Sequence, residues 1–377
     1  MSRLLAALAL AASTLVALPS WAQAPSPPAV AAAAWTLVDV TSGQTIASQR
    51  TDERRDPASL TKLMTAYLVF AALRQKTILP SQMVNVSERA WRAEGSRMFI
   101  EPRKSVSVDE LLHGMIVQSG NDASIALAEL VGGSEAAFAD RMNAEAKRLG
   151  MLNTQFTNAT GLADPKHWST AGDLAKLAHA VIRDYPEYYP LYAKREYRYN
   201  KITQPNRNRL LWTDPHVDGV KTGHTEAAGW CLIASAKRGE RRLLSVVLGA
   251  SSDAARAAES QKLLNFGFQA YDTVQLYQSG KPVAALRVWK GSEGEVSAGF
   301  LADRHLTLPR GRADDLKLSL EAMEPLVAPV ARGQRVGVVK IALDGAPMAE
   351  FPLIALEQVE PANIFVRAWH TVRLWFK

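Results

Sequence analysis

Asp56-Pro57-Ala58-Ser59-Leu60-Thr61-Lys62, running into the apolar helical stretch Leu63 to Leu73, is the segment on which the reading of this chain turns. Asp56 can cap a helix, and Pro57 suits its first turn. Ser59 then falls where free backbone N–H groups and the positive end of the helix dipole favour negative charge on or near its oxygen. Lys62, three residues on, shares that face. One turn thus offers a nucleophile and an amine base, provided burial and positive neighbours bring the lysine pKa from ~10.4 towards neutrality. By itself the pattern also fits an ordinary capped helix.

Two further stretches add weight. The polar break Gln118-Ser119-Gly120-Asn121-Asp122 separates an apolar helical run ending near Val117 from one starting near Ala123. As a plain turn it needs only Asn121 or Asp122 as a cap. As part of a site it sets Ser119 beside the nucleophile as a proton relay, and Asn121 as a donor to a substrate amide. Lys221-Thr222-Gly223, with His224 and Thr225 following, comes after the strand-like Val217 to Val220. Gly223 leaves room for a substrate backbone along a strand edge, and Lys221 and Thr222 can hold a carboxylate. A strand end with a solvated lysine is the plainer alternative. The three patterns in this order, widely separated in one chain, are far more specific than any one alone.

Around these motifs, 377 residues of which 47% are apolar allow two domains with buried cores. Arg3, the apolar run Leu4 to Leu18 and the small residues before Ala24 read as a secretory signal peptide over 1–24. The apolar run is shorter than the ~20 residues a spanning helix needs. Residues 25–34, rich in Pro, Ala and Ser, read as a flexible N-terminus. Over 35–268, helical patterns such as Glu110 to Val131 and Ser134 to Leu149 fill the middle, while strand-like runs lie at both ends. Trp35 to Val40 is one run. Gly229 to Ala236 and Arg241 to Ala250 form a hairpin at the other end. An α/β (α+β) domain closed by a sheet from both chain ends is therefore expected. Short alternating runs over 269–360, such as Lys317 to Leu320 and Val336 to Ile341, predict a second, small all-β domain.

The tail, 363–377, places Phe365, Trp369, Val372, Trp375 and Phe376 on one helical face, opposite Arg367, His370, Arg373 and Lys377. Leu374 is the one misplaced apolar residue. Such a C-terminal amphipathic helix suits an anionic membrane surface, or packing on the β domain. The net charge of +7 is scattered, and no nucleic-acid motif accompanies it. The single cysteine, Cys231, sits in the apolar run Trp230 to Ala234, cannot form an intramolecular bridge, and reads as core. The histidines lack metal-ligand spacing, so neither metal nor cofactor is expected.

Together the Ser-x-x-Lys, Ser-Gly-Asn and Lys-Thr-Gly motifs resemble the penicillin-binding protein and serine β-lactamase superfamily, and more narrowly its low-molecular-mass D-alanyl-D-alanine carboxypeptidases. The resemblance runs from about Trp35 to the C-terminus. It includes Asn206-Arg207-Asn208-Arg209-Leu210-Leu211-Trp212, Val217 to Thr225, Leu308-Pro309-Arg310-Gly311 and the basic tail. It implies a β-lactamase-like transpeptidase fold followed by an all-β domain. It also implies removal of the terminal D-alanine from peptidoglycan pentapeptide stems through an acyl-enzyme on Ser59, with β-lactams as inhibitors. In that resemblance Lys62 is the base, Ser119 and Asn121 line the cleft, and Lys221, Thr222 and Gly223 form its strand wall. The backbone N–H groups of Ser59 and His224 make the oxyanion hole, and Arg207 helps bind the terminal carboxylate. Signal and tail together imply the periplasmic face of an inner membrane.

Rival readings share parts of this pattern. A β-lactamase of class A needs an ExxLN segment and an SDN middle motif, and this chain has neither. A D,D-endopeptidase or transpeptidase uses the same three motifs, and a non-catalytic peptidoglycan-binding scaffold would carry them as vestiges. Three intact motifs argue against the last.

Overall fold

The computed structural model describes residues 25–376. The expected signal peptide over 1–24, and Lys377 of the tail, lie outside the described residues.

The first unit opens with β1 (Ala34–Asp39) and β2 (Thr45–Gln49), then a 3-10 turn over Ala58–Thr61 that leads into α1 (Lys62–Arg74). Next come β3 (Met83–Val84), α2 (Glu88–Trp91) and β4 (Val106–Ser107). The helical body is α3 (Val108–Val117), α4 (Asn121–Gly132), α5 (Glu135–Arg148) and α6 (Ala171–Asp184). A small hairpin, β5 (Glu196–Tyr199) and β6 (Ile202–Pro205), precedes α7 (Leu210–Thr213). Then follow β7 (Val217–Thr225), β8 (Gly229–Arg238), β9 (Arg241–Ala250) and α8 (Asp253–Ala270). Local chemistry sets the helix starts. Ser107 and Glu110 close a capping box on α3, and Ser134, Thr170 and Ser252 each accept a first-turn amide of α5, α6 and α8.

The strand order β2-β1-β9-β8-β7 brings the two ends of this unit together, with β1 antiparallel to β9. Both sheet faces are covered. Ile233, Val246 and Leu248 join the core of α1 and the α3–α6 body, while Leu232, Ala234 and Val247 pack with Leu263, Leu264 and Phe268 of α8. Burial on both faces explains why Trp230 to Ala236 is almost uninterruptedly apolar. Lys221-Thr222-Gly223 does not follow a strand but lies inside one: β7 continues through the motif to Thr225 as the edge of the sheet. The stretch over 25–34 is also less free than its composition predicts. Val30 and Ala32 pack against the α8 core, Ala33 N–H donates to the Leu248 carbonyl at 2.9 Å, and Lys262 Nζ donates to the Ala29 carbonyl at 2.9 Å. Small residues there let the backbone lie flat against the sheet end.

α8 passes directly into β10 (Tyr271–Tyr277). The second unit continues with β11 (Pro282–Trp289), β12 (Glu295–Gly299), β13 (Arg304–Pro309), β14 (Leu316–Ala322), β15 (Leu326–Val327), β16 (Arg335–Leu343) and β17 (Ala346–Ala355). β10 pairs with β13, and the other strands form a six-stranded sheet around Val288, Val296, Phe300, Val339 and Leu353. At the junction, buried Asp39 accepts from Arg241 Nε at 2.8 Å and from Thr273 Oγ1, and Ser42 Oγ lies 2.7 Å from Thr307 Oγ1.

The chain closes with α9 (Ile364–Trp375), capped by Asn363. The tail departs from a simple two-faced helix at His370. His370 does not belong to a solvated basic face: its Nδ1 accepts the Lys290 amide at 2.8 Å, and its ring meets Trp289 edge-on. Val366, His370 and Leu374, at i, i+4 and i+8, form the half-buried stripe, so Leu374 is not misplaced. Phe365 is 83% exposed and Trp375 81%, with Trp369 and Phe376 also open. Among the described residues no helix is long and apolar enough to cross a membrane.

Candidate active site

A cleft of roughly 870 Å³ lies between the helical body and β7, lined by Ser59, Ser119, Asn121, Arg207, Thr222, Gly223 and His224. The sequence placed these residues in four separate stretches. The fold brings them together with Lys62 and Lys221 behind them.

Ser59 rides on the 3-10 turn ahead of α1, not within an α-helical first turn. Asp56 is not the helix cap, since Pro57 holds that position without a side-chain bond; Asp56 Oδ1 instead accepts the Ala58 amide at 2.7 Å, two residues on. Its Oδ2 accepts from Thr225 Oγ1 at 3.0 Å, tying the turn to β7. Ala58 takes a positive φ of 46°, a conformation costly for a residue with a Cβ and retained where packing over-determines it. The Lys62 ammonium donates to Ser59 Oγ at 2.9 Å, to Asn121 Oδ1 at 2.7 Å and to the Thr160 carbonyl at 2.6 Å. Burial holds its pKa down to about 7, and the Arg207 charge pushes the same way while Asp122 opposes it. A lysine near neutrality and 2.9 Å from a serine hydroxyl can take its proton.

The break between α3 and α4 is built rather than loose. Ser119 adopts φ +67°, and Gly120 caps α4 without a side-chain bond. Neither Asn121 nor Asp122 is therefore the cap. Buried Asp122 instead accepts the amides of Met98, Phe99 and Ile100, fixing the loop across the cleft. Asn121 donates from Nδ2 to the Glu94 carbonyl at 2.6 Å, which aims its oxygen at Lys62. Lys221, fully enclosed, donates from Nζ to Ser119 Oγ and to the Thr222 carbonyl, both at 2.9 Å. Burial first, then the charges of Lys62, Arg207 and Arg256, hold its pKa well below the usual lysine value. Two serines thus each carry a buried amine, facing each other across one cleft.

A Cβ on Gly223 would lie 3.2 Å from the Ser59 nitrogen and 3.1 Å from the Pro57 carbonyl. Glycine there lets β7 run tight against the nucleophile's turn. His224 stacks on Trp230 with ring centroids 3.9 Å apart, and the Arg256 guanidinium covers Trp230 at 4.9 Å. Arg207 is held in the cleft by its neighbours: Asn206 donates to the Lys194 carbonyl at 3.0 Å and Asn208 to the Gly219 carbonyl at 3.0 Å. Arg209 and Arg256 both pair with Asp253 at the outer edge. Cys231 is buried, and burial raises its pKa to about 11, in keeping with a core residue.

Sequence reasoning missed the loop Asn158-Ala159-Thr160-Gly161. Asn158 Oδ1 accepts from the Thr160 and Gly161 amides, and the Thr160 carbonyl is the third partner of Lys62. Its only sequence signal is an Asn and Gly turn, and a carbonyl ligand leaves no side-chain trace. Arg256, Trp230 and Asp253 went unmarked because they act on neighbours already bound to other motifs.

The site and its setting define a penicillin-binding fold: a serine with a buried lysine partner, walled by a Lys-Thr-Gly edge strand and followed by a separate all-β domain. A family model described as D-alanyl-D-alanine carboxypeptidase matches residues 21–252, and one described as penicillin-binding protein 5, C-terminal domain, matches residues 271–361. The chain belongs to the D-alanyl-D-alanine carboxypeptidase family. It is 45% identical over 357 residues to D-alanyl-D-alanine carboxypeptidase DacC of Escherichia coli (strain K12), covering 93% of this chain and 89% of the relative. It is 36% identical over 351 residues to DacF of Bacillus subtilis (strain 168), covering 90% and 89%. Penicillin-binding protein 5 from Haemophilus influenzae superposes with a TM-score of 0.87 at 41% identity, over 89% of this chain and 99% of that one. Penicillin-binding protein D2 from Listeria monocytogenes, in its ampicillin-bound form, gives 0.60 at 32% identity, over 65% of this chain and 100% of its own.

Proposed function

We propose that this chain removes the terminal D-alanine from peptidoglycan pentapeptide stems, with Ser59 as nucleophile and Lys62 as its base. The carrying observation is the 2.9 Å contact between Lys62 Nζ and Ser59 Oγ, made by a lysine whose pKa burial brings to about 7. Neutral Lys62 takes the Ser59 proton as Oγ attacks the carbonyl of the penultimate D-alanine. The Ser59 and His224 amides receive the developing oxyanion, and Arg207 with Thr222 holds the terminal carboxylate. Collapse breaks the peptide bond, and the leaving amine takes a proton from the Lys62 ammonium, directly or through Ser119 and Lys221. Lys62, neutral again, takes a proton from the water that attacks the acyl carbonyl and returns it to Ser59 Oγ as the acyl group leaves. A β-lactam enters by the same first step, and its opened ring keeps the leaving nitrogen tethered.

The exposed aromatic face of α9, flanked by Arg367 and Arg373, fits a helix lying in the headgroup region of an anionic bilayer. With a cleaved leader over 1–24, the enzyme would work on the periplasmic face of the inner membrane. Release of D-alanine from a peptide ending in D-Ala-D-Ala, blocked by benzylpenicillin and absent in Ser59→Ala, tests the assignment. An adduct on Ser59 without D-alanine release would favour an endopeptidase or transpeptidase.

A further inference from the structure

Residues 155–169 close into a loop beside the nucleophile's turn. Gln155 and Trp168 exchange backbone bonds at 2.9 and 3.0 Å, and Arg55 and Ser169 do the same at 2.8 and 2.9 Å. Inside the loop lies His167, 4% exposed, its ring edge-on to Phe156. Its Nδ1 is 3.1 Å from the Thr157 amide nitrogen, which can only donate, so Nδ1 is the acceptor and the ring proton sits on Nε2. Nε2 is 2.8 Å from Thr61 Oγ1, and Thr61 stands between Ser59 and Lys62 in the chain. Burial, the largest influence, keeps the ring neutral with a pKa of about 4, so this tautomer persists at ordinary pH.

The loop meets the start of α1 at three points. His167 holds Thr61, the Thr160 carbonyl receives Lys62 Nζ, and Thr65 Oγ1 donates to the Ala159 carbonyl at 2.7 Å. There is no slack between them, since a Cβ on Gly161 would stand 1.8 Å from the Ala58 carbonyl oxygen. Lys62 has Asn121 and Thr160 to fix its amine, and only Thr160 belongs to a loop with a side-chain clamp onto the serine's own turn.

We propose that His167 is a positioning residue for the reaction: by donating to Thr61 while accepting from Thr157, it holds the Thr160 carbonyl, and through it the Lys62 amine, in register with Ser59. It touches no reacting atom. The proposal rests on the Ser59–Lys62 reading above and adds to it a residue outside the three motifs. A base displaced by a fraction of an ångström loses rate without losing the pocket that binds substrate.

The test is the benzylpenicillin acylation rate constant, separated from non-covalent affinity by stopped flow, in the full chain. His167→Phe keeps the ring and its Phe156 contact but neither bond; it is expected to lower the acylation rate constant by about tenfold or more with affinity nearly unchanged. His167→Gln, which keeps a donor for Thr61, is expected to recover most of that loss. Thr61→Val removes the acceptor instead; it should match His167→Phe, and the double variant should be no slower than either, which keeps the test open if one variant folds poorly. Wild-type acylation rates in His167→Phe, or equal losses in Phe and Gln variants that follow their melting temperatures, would overturn the positioning role alone. Absence of any adduct on the wild type would overturn the Ser59 reading with it.

Discussion

Lys221 donates from Nζ to Ser119 Oγ at 2.9 Å, and Ser119 holds its backbone at φ +67° to receive it. A strained serine facing a buried amine marks a hydroxyl that is wanted there for its oxygen. Ser119→Ala leaves Lys221 with the Thr222 carbonyl as its remaining partner and removes the relay. Acylation by benzylpenicillin is expected to slow by about 100-fold, the scale of one proton-transfer contribution, when followed by stopped flow against wild type.

Lys62 must be neutral to act, so acylation should rise with pH through about 7 and level off above it. Arg207 is one of the two influences that lower that value, so Arg207→Gln should move the rising limb to higher pH as well as weaken binding of a terminal carboxylate. A pH profile of the acylation rate in both proteins checks the direction. A limb that moves down, or stays, removes Arg207 from the account of Lys62.

The same shift has a consequence for stability. Lys62 is charged in the unfolded chain up to about 10.5 but in the folded protein only up to about 7. The unfolded state therefore binds more protons between those values, and wild-type stability from this group rises with pH across that window. Lys62→Met has no such dependence. Its melting temperature relative to wild type should be most favourable below pH 7 and should decline steadily towards pH 10, read by calorimetry at several pH values.

Gly161 has φ +80° and faces the Ala58 carbonyl with no room for a methyl group. Gly161→Ala combines a left-handed alanine with a backbone clash and should cost about 2–4 kcal/mol in urea unfolding. Because the loop cannot retreat without carrying Thr160 from Lys62, D-alanine release should fall further than the folded fraction does.

The aromatic face of α9 can be tested on the intact protein. Trp369→Glu with Trp375→Glu should abolish co-sedimentation with anionic phosphatidylglycerol vesicles while leaving penicillin acylation unchanged. Wild-type binding should weaken as salt is raised. Equal sedimentation of both proteins would leave the helix as a packing element on the second domain.

Much of the site was legible because its chemistry is carried by side chains in short runs: Ser59 and Lys62, Ser119 and Asn121, Lys221 to His224 all line or back one cleft. Arg207 was legible only through family resemblance, since nothing in an Asn-Arg-Asn run states that its asparagines are buried and pin neighbouring backbone. Thr160 contributes a carbonyl and Gly161 an absence of bulk, neither of which a residue pattern announces. The fold was legible where periodicity is strong, as in the Gly229 to Ala250 hairpin. It misled in the tail, where His370 reads as a charge yet serves as an acceptor for the Lys290 amide. A single helix can present one stripe to its own protein and another to something else, and sorting its residues into one apolar and one basic face merges them.

The pairing of β1 with β9 also bears on how this protein comes into being. Ser59 and Lys62 are synthesised early, but the sheet beside them stays open until Arg241–Ala250 has been made and laid against Ala34–Asp39. Contacts that span more than 200 positions form late and slowly. A nascent or prematurely ended chain lacking Arg241–Ala250 thus carries the nucleophile but no finished wall for it, and remains chemically silent and open to proteases until that strand arrives.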